Sequence, residues 1–335
     1  MSVGLDIGSK TVKVVELARE GDKFSLRAAG AAPFPFDLTR VDDEKGLADA
    51  SEAIKKLCAE ARISSKDVNI SLSETSVFSR VIKLPLLTDE EIASAVKWES
   101  EEYIPIPLKE AVLQYQILER REIGNPPQVL VLVVAAIKTM VEKYVSVVTN
   151  AGLRVVGVET ELLSLARSLG GIGKTVMLLD FGALSTDIAI TKEGQLFFSR
   201  SIPTAGEAFT RAVAQGLGIT PQQAEEYKKT YGFTPNQLED KVSMSLRPIL
   251  KGVVDEMKKS VHFYQMDMHG ESPNVIVVSG GSAGLPGVSG ELAKLLGLEV
   301  IVANPFQNVI IDPQAAATLS NYAPLYSVAV GLAMR

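Results

Sequence analysis

Short apolar-rich runs at Ser2–Ile7, 11–18 and 23–29 are separated by tight turns at 8–10 and at Glu20-Gly21-Asp22, so the chain opens with three antiparallel strands. The period then changes. Over 47–61, Leu47, Ala50, Ile54, Leu57 and Cys58 fall on one face of a helix, and a short strand, Asp67–Leu72, follows. The same unit recurs about 170 residues later: strand 175–180, turn 181–185, strand 186–191, turn Glu193-Gly194, strand 195–201. Two copies of strand–turn–strand–turn–strand, each followed by helices, predict an internal duplication and an α/β fold with two similar halves.

Residues 79–155, between the copies, have another character. Helix Asp89–Tyr103 is announced by Thr88 with Glu91 three residues on, a capping box, and is ended by the Pro-containing 104–107. Trp98 reads as a core position of that helix. Strand 112–119, a Gly/Pro turn, an apolar strand 129–137 and a helix 139–151 closed by Gly152 complete an α/β insert. A second insert, 206–272, reads as wholly helical.

Composition narrows the classes. A 46% hydrophobic chain of 335 residues carries about two domains' worth of core, and a net charge of −6 without any Lys/Arg run argues against a nucleic-acid partner. Cys58 is the single cysteine, so no intrachain disulfide forms and a reducing compartment suits the chain. Two histidines, His262 and His269, leave little for a His-based metal site or triad. The longest apolar run, 129–137, is far short of the ~20 residues of a membrane helix, and no signal peptide opens the chain. Work at a membrane would need a partner to hold the protein there.

Three loops carry chemistry. In Asp6-Ile7-Gly8-Ser9-Lys10-Thr11-Val12-Lys13, Gly8 permits a turn that aims backbone N–H groups at an anion. Ser9 and Thr11 add hydroxyls, Lys10 and Lys13 add positive charge, and Asp6 at the strand end suits Mg²⁺ held through water. Asp180-Phe181-Gly182-Ala183-Leu184-Ser185-Thr186-Asp187 repeats this at the equivalent turn. Paired carboxylates, Asp6 and Asp180, with Gly182, Ala183, Ser185 and Thr186 opposite the first turn, suit one Mg-triphosphate clamped between two domains. The third loop, Ser279-Gly280-Gly281-Ser282-Ala283, follows an apolar strand and lets backbone approach a flat ligand such as adenine.

In order and spacing these loops resemble the actin/Hsp70/sugar-kinase superfamily, with two phosphate loops and an adenosine loop at Gly280, Gly281, Ser282 and Ala283. By the same resemblance Lys13 stands at actin's phosphate lysine, and Glu225 with Lys228 would flank adenine and ribose. The likeness narrows to the PilM family through Leu84-Pro85-Leu86-Leu87, Ala95-Val96-Lys97-Trp98-Glu99, Tyr103-Ile104-Pro105-Ile106-Pro107-Leu108, Asn304-Pro305-Phe306 and Val328-Ala329-Val330-Gly331-Leu332-Ala333. Leu184, where superfamily members have a small residue, is a departure.

The resemblance implies two actin-like (ribonuclease H-like) core domains flanking a nucleotide cleft, with an FtsA/PilM-type inserted α/β subdomain and a helical second insert. The corresponding division is 1–78 and 156–174 for the first core, 79–155 for the insert, 175–205 and 273–335 for the second core, and 206–272 for the helical subdomain. It implies ATP and Mg²⁺ as cofactors, with at most slow hydrolysis. Glu159, Thr160 and Glu161 lie where relatives position the attacking water, although Thr160 also reads as a helix cap. It further implies a cytoplasmic component of the type IV pilus inner-membrane platform. The expected partner is the N-terminal peptide of PilN, docked between the first core and the insert. Other platform and motor components, and ring or self-association, are expected with it, and membrane contact only through partners. An FtsA/MreB-like filament former and a small-molecule kinase are the alternatives; FtsA relatives carry a C-terminal membrane helix that this chain lacks.

Overall fold

The structure, a computed structural model, describes residues 1–122, 126–235 and 238–335. The first core opens with β1 (Ser2–Ile7), β2 (Thr11–Glu20), β3 (Lys23–Pro33), α1 (Glu44–Glu60) and β4 (Asp67–Leu72). The insert holds β5 (Val77–Pro85), α2 (Asp89–Tyr103), β6 (Ala111–Arg121) and β7 (Gln128–Ile137); α3 (Lys138–Asn150), β8 (Arg154–Thr160) and α4 (Glu161–Leu169) follow. The second core runs through β9 (Thr175–Phe181), β10 (Thr186–Lys192), β11 (Gln195–Ile202), α5 (Gly206–Leu217), α6 (Pro221–Tyr231) and α7 (Lys241–Met268). It continues with β12 (Val275–Ser279), α8 (Val288–Leu296) and β13 (Glu299–Val302); β14 (Val309–Ile310), α9 (Pro313–Leu319) and α10 (Ser327–Ala333) end the chain.

Three sheets result, ordered β14-β3-β2-β1-β4-β8, β11-β10-β9-β12-β13 and β5-β7-β6. In both large sheets an antiparallel meander (β1–β3, β9–β11) continues into parallel strands (β4 and β8; β12 and β13). Of the parallel strands, β12 is covered on both faces, with every residue of Val275–Ser279 buried.

The insert ends sooner than its 79–155 assignment. Helix α3 buries Tyr144, Val147 and Val148 in the core built on β1, β2, β4 and α1, and β8 pairs with β4, so both belong to the first core. The C-terminal segment also changes sides. β14 pairs with β3, and α10 packs Ala329, Val330 and Ala333 against Val15 and Leu17 of β2. Residues 309–335 therefore return to the first sheet rather than completing the second core. Helices α4 and α10 cross between the halves: Leu162, Leu165, Ala166 and Leu169 share a core with Val176, Leu178 and Ala189 of the second sheet and with Val328 and Leu332. The crossing is close because Gly331 lies on the backbone of Ser164, where a Cβ would come within 1.9 Å of a carbonyl oxygen. α10, apolar but for Ser327, is stable in such a place because it is buried all round.

Candidate functional site: a cleft between the two halves

The two strand–turn–strand units end in turns of one geometry. Gly8 N donates to Thr11 O at 3.1 Å, and Gly182 N donates to Ser185 O at 3.1 Å. In each turn the aspartate is paired across the ladder with a charged residue, Asp6 with Lys13 and Asp180 with Asp187. Both turns open on one cavity of about 1040 Å³, whose lining includes Asp6, Gly8, Ser9, Lys10, Thr11, Lys13, Asp180, Gly182, Ala183 and Ser185.

Other predicted residues meet there too. Glu161, Glu225, Lys228, Gly280, Gly281 and Ser282 line the same cavity. Gly280 has φ +83, and a Cβ on it would stand 2.4 Å from Asp180 Oδ1, so only glycine lets this loop lie against the second turn. Ala283 is buried behind the loop rather than in the cavity wall, and Thr186, fully buried, donates its hydroxyl to Thr204 O at 2.6 Å.

Of the three water-positioning candidates, Glu161 alone reaches the cavity wall. Thr160 is the N-cap of α4 and accepts from Leu163 N at 3.2 Å, as its capping reading has it. Glu159 is the last but one residue of β8, ahead of α4, and is held by Arg167 at 2.6 and 2.8 Å and by Ser164 at 2.6 Å. Its acceptor sites are committed to that structural bond.

Lys228 is similarly committed. Its ammonium donates to Gly206 O, Thr210 Oγ1 and Glu225 Oε2 at 3.1, 2.9 and 2.6 Å, which uses its three protons. Burial lowers its pKa. Glu225 resists the upward push of burial: bonds from Lys228 and Thr210 hold its carboxyl at about 2, so it is ionised. The pair fixes α6 to α5 and presents a carboxylate edge to the cavity.

The cleft floor is acidic. Asp6 and Lys13 form an ion pair of 2.8 Å, both nearly excluded from water. Burial works against the Lys13 charge, but Asp6, with Asp180 and Glu161 further off, holds the ammonium above its ordinary pKa. The other acids have no such neighbour of their own. Burial, then Asp187, lifts Asp180 to about 7; burial lifts Asp187 to about 6. Burial and the surrounding carboxylates push Glu161 well up.

Glu74, behind the cavity wall, belongs to the same buried acid cluster and was missed by sequence reading. Burial and Asp187 raise it to about 7, and it interlocks with α4: Leu162 N donates to Glu74 Oε1 at 2.9 Å while Glu74 N donates to Glu161 Oε2 at 3.2 Å. No local pattern marks Glu74. Asp187 was findable by laying the two turns over each other, since it occupies the position of Lys13.

Asp6 Oδ1 and Asp187 Oδ1 are buried without a hydrogen-bond partner. Buried carboxylates that repel one another beside two orphaned oxygens form a donor set suited to a hydrated divalent cation. Among the described residues no group of three or more His, Cys, Asp or Glu is placed to hold a metal ion directly.

Two duplicated sheets closing on a carboxylate-floored cleft, with paired turns at its mouth, define an actin-like fold. The chain belongs to the family described as type IV pilus assembly protein PilM, whose model matches residues 4–335. Among solved structures it is similar to the PilM-PilN type IV pilus biogenesis complex at 30% identity and a TM-score of 0.86, covering 100% of this chain and 98% of that one. The ethanolamine utilization protein EutJ from Carboxydothermus hydrogenoformans shares the fold at 19% identity and TM-score 0.59, over 99% of this chain and 89% of EutJ. MreB5 of Spiroplasma citri bound to AMPPNP shares it at 14% and 0.55, over 98% and 93%. The cell division protein FtsA of Bacillus subtilis is 23% identical over 354 residues, 93% of this chain and 80% of FtsA.

Proposed function

We propose that this member of the pilus assembly family is a cytoplasmic part of the inner-membrane platform that binds ATP with Mg²⁺ in the cleft and holds the N-terminal peptide of PilN. The likeness to the PilM-PilN complex along the whole chain is the observation that carries the partner. No helix among the described residues is long and apolar enough to cross a membrane, so PilN would also supply the attachment. Exposed Val112 and Ile137, where the insert's sheet runs into α3, support a groove for an extended peptide between insert and first core.

In the cleft, Ser9, Lys10, Thr11, Gly182, Ala183 and Ser185 would take the phosphates. Gly280–Ser282 and Glu225 would face the nucleoside, and Lys228 acts by fixing Glu225. Asp6 and Asp180 would hold Mg²⁺ through water, and the ion would supply charge neutralisation for the phosphates. Glu161 is the candidate for orienting a water, and burial among carboxylates, by raising its pKa, favours its protonated form, which cannot take a proton from that water, in keeping with a nucleotide that orders the cleft rather than fuels work. A pull-down with the PilN N-terminal peptide, with and without Mg-ATP, tests the reading; absence of binding in both conditions would sink it.

A further inference from the structure

The insert carries a surface that neither the cleft nor the groove explains. Helix α2 buries Ile92, Val96 and Ser100 against its sheet, and the opposite face presents Trp98 at 77% exposure. The sequence placed this residue in the core. Trp98 is the only tryptophan of the chain, and one step along the same face, at i+3 and i+4, stand Glu101 and Glu102. Small residues, Ser94 and Ala95, occupy i−4 and i−3, so nothing on the helix shields the indole.

Charge decides what could cover it. The helix bears six carboxylates against one lysine. Asp89 is taken by Arg120 and Glu91 by the Thr88 cap, but Glu90, Glu99, Glu101 and Glu102 have no ion pair or hydrogen bond among the described residues. An exposed indole alone would also suit a lipid interface, but this face would be repelled by an anionic bilayer. A positive partner has both features to bind. The neighbouring ring shows the chemistry at work within the chain: the Arg80 guanidinium lies 4.2 Å from the centre of the Tyr103 ring, and among the described residues Trp98 has no such cation.

We propose that the outer face of α2 docks a cationic, arginine-bearing segment of a protein partner, with a guanidinium over the Trp98 indole and Glu101 and Glu102 beside it. Tryptophan is the strongest ring for this contact, and a planar guanidinium stacks and pairs with carboxylates at once. The surface is separate from the nucleotide cleft, and its failure would leave the PilN and ATP readings untouched.

The test uses the full chain and an end-blocked Arg-Leu-Arg-Leu-Arg peptide, followed by the emission of Trp98 and by the anisotropy of the labelled peptide. A saturable blue shift is expected. Trp98→Ala should weaken binding about five- to twentyfold. The Glu101→Gln/Glu102→Gln double variant should weaken it severalfold and flatten its salt dependence. Glu44→Gln/Asp49→Asn, which removes two exposed carboxylates from α1, should leave it unchanged. Because Trp98 is exposed, its variant should melt as the parent does. Unchanged affinity in Trp98→Ala, or an equal loss in the α1 variant, would overturn the proposal. So would an emission shift with phosphatidylglycerol vesicles but not with peptide, or one produced by raising protein concentration alone, which would make a second copy the occupant.

Discussion

The two turns that face each other across the cleft are copies in backbone and opposites in charge. Residues 6–13 and 180–187 correspond position for position in strand register, down to the Gly N to carbonyl bond that closes each. Where the first has Lys13 opposite Asp6, the second has Asp187 opposite Asp180. The first half neutralises its buried carboxylate internally. The second half concentrates repulsion, visible in the raised pKa values of Asp180 and Asp187; Lys13 offsets it only in part at Asp180, and a cation from outside would relieve the rest. Duplication supplied one scaffold, and a single charge reversal split its roles.

The most severe test of this split is to remove the internal cation. Lys13→Met would leave Asp6 as a buried, uncompensated charge, a loss worth about 3–5 kcal/mol. Chemical denaturation should show a large fall in midpoint together with loss of nucleotide binding. The mirror change should do the reverse to the fold. Asp180→Asn removes a charge from the repelling group, so stability should hold or rise. Affinity for Mg-ATP should fall roughly tenfold or more, each decade being about 1.4 kcal/mol. If Asp180→Asn destabilised the protein as Lys13→Met does, the two turns would not differ as argued.

Acidity gives a second, smaller test. Asp180 and Glu74 at about 7 and Asp187 at about 6 stand above their unfolded values near 4. Between those limits the folded protein binds more protons than the unfolded chain, so stability falls as pH rises through the window. Melting of the nucleotide-free protein should therefore come several degrees lower at pH 8 than at pH 5. Mg²⁺ should restore more at pH 8, where the carboxylates are charged. A flat or rising profile, or an equal Mg²⁺ effect at both pH values, would contradict the acid cluster.

How much of this could be read from the chain follows from what is local. Both meanders, the capping box of α2 and the two Asp-x-Gly turns were legible because turn and cap chemistry resides within a few residues. Which sheet a helix joins is not local: α3 follows the insert in sequence but buries Tyr144 in the first core, and α10 crosses the molecule to reach β2. The site divides the same way. Asp6, Gly8 and Gly182 were readable from their turns. Asp187 needed the two turns laid over each other, and Glu74 joins the buried acid cluster only through a contact to α4. Glu159 falls in β8, two positions before the first residue of α4, and its carboxylate turns to Arg167.

The first turn also contains its own control. Lys10, three residues before Lys13, forms a 2.8 Å ion pair with Glu207 of α5, the contact by which the first turn reaches the helix across the cleft. Both partners are substantially exposed, so Coulomb attraction is screened and two long side chains lose freedom in pairing; such a bond contributes about 0–1 kcal/mol. Lys10→Ala should accordingly lower the melting temperature by no more than ~2–4 °C. High salt should remove most of that difference, because it weakens the pair in the parent protein. A Lys10 variant as damaged as Lys13→Met would show that charge identity, rather than burial, governs this turn. A small, salt-erased effect would leave burial as the reason Lys13 is structural, and Lys10 free to exchange Glu207 for a phosphate.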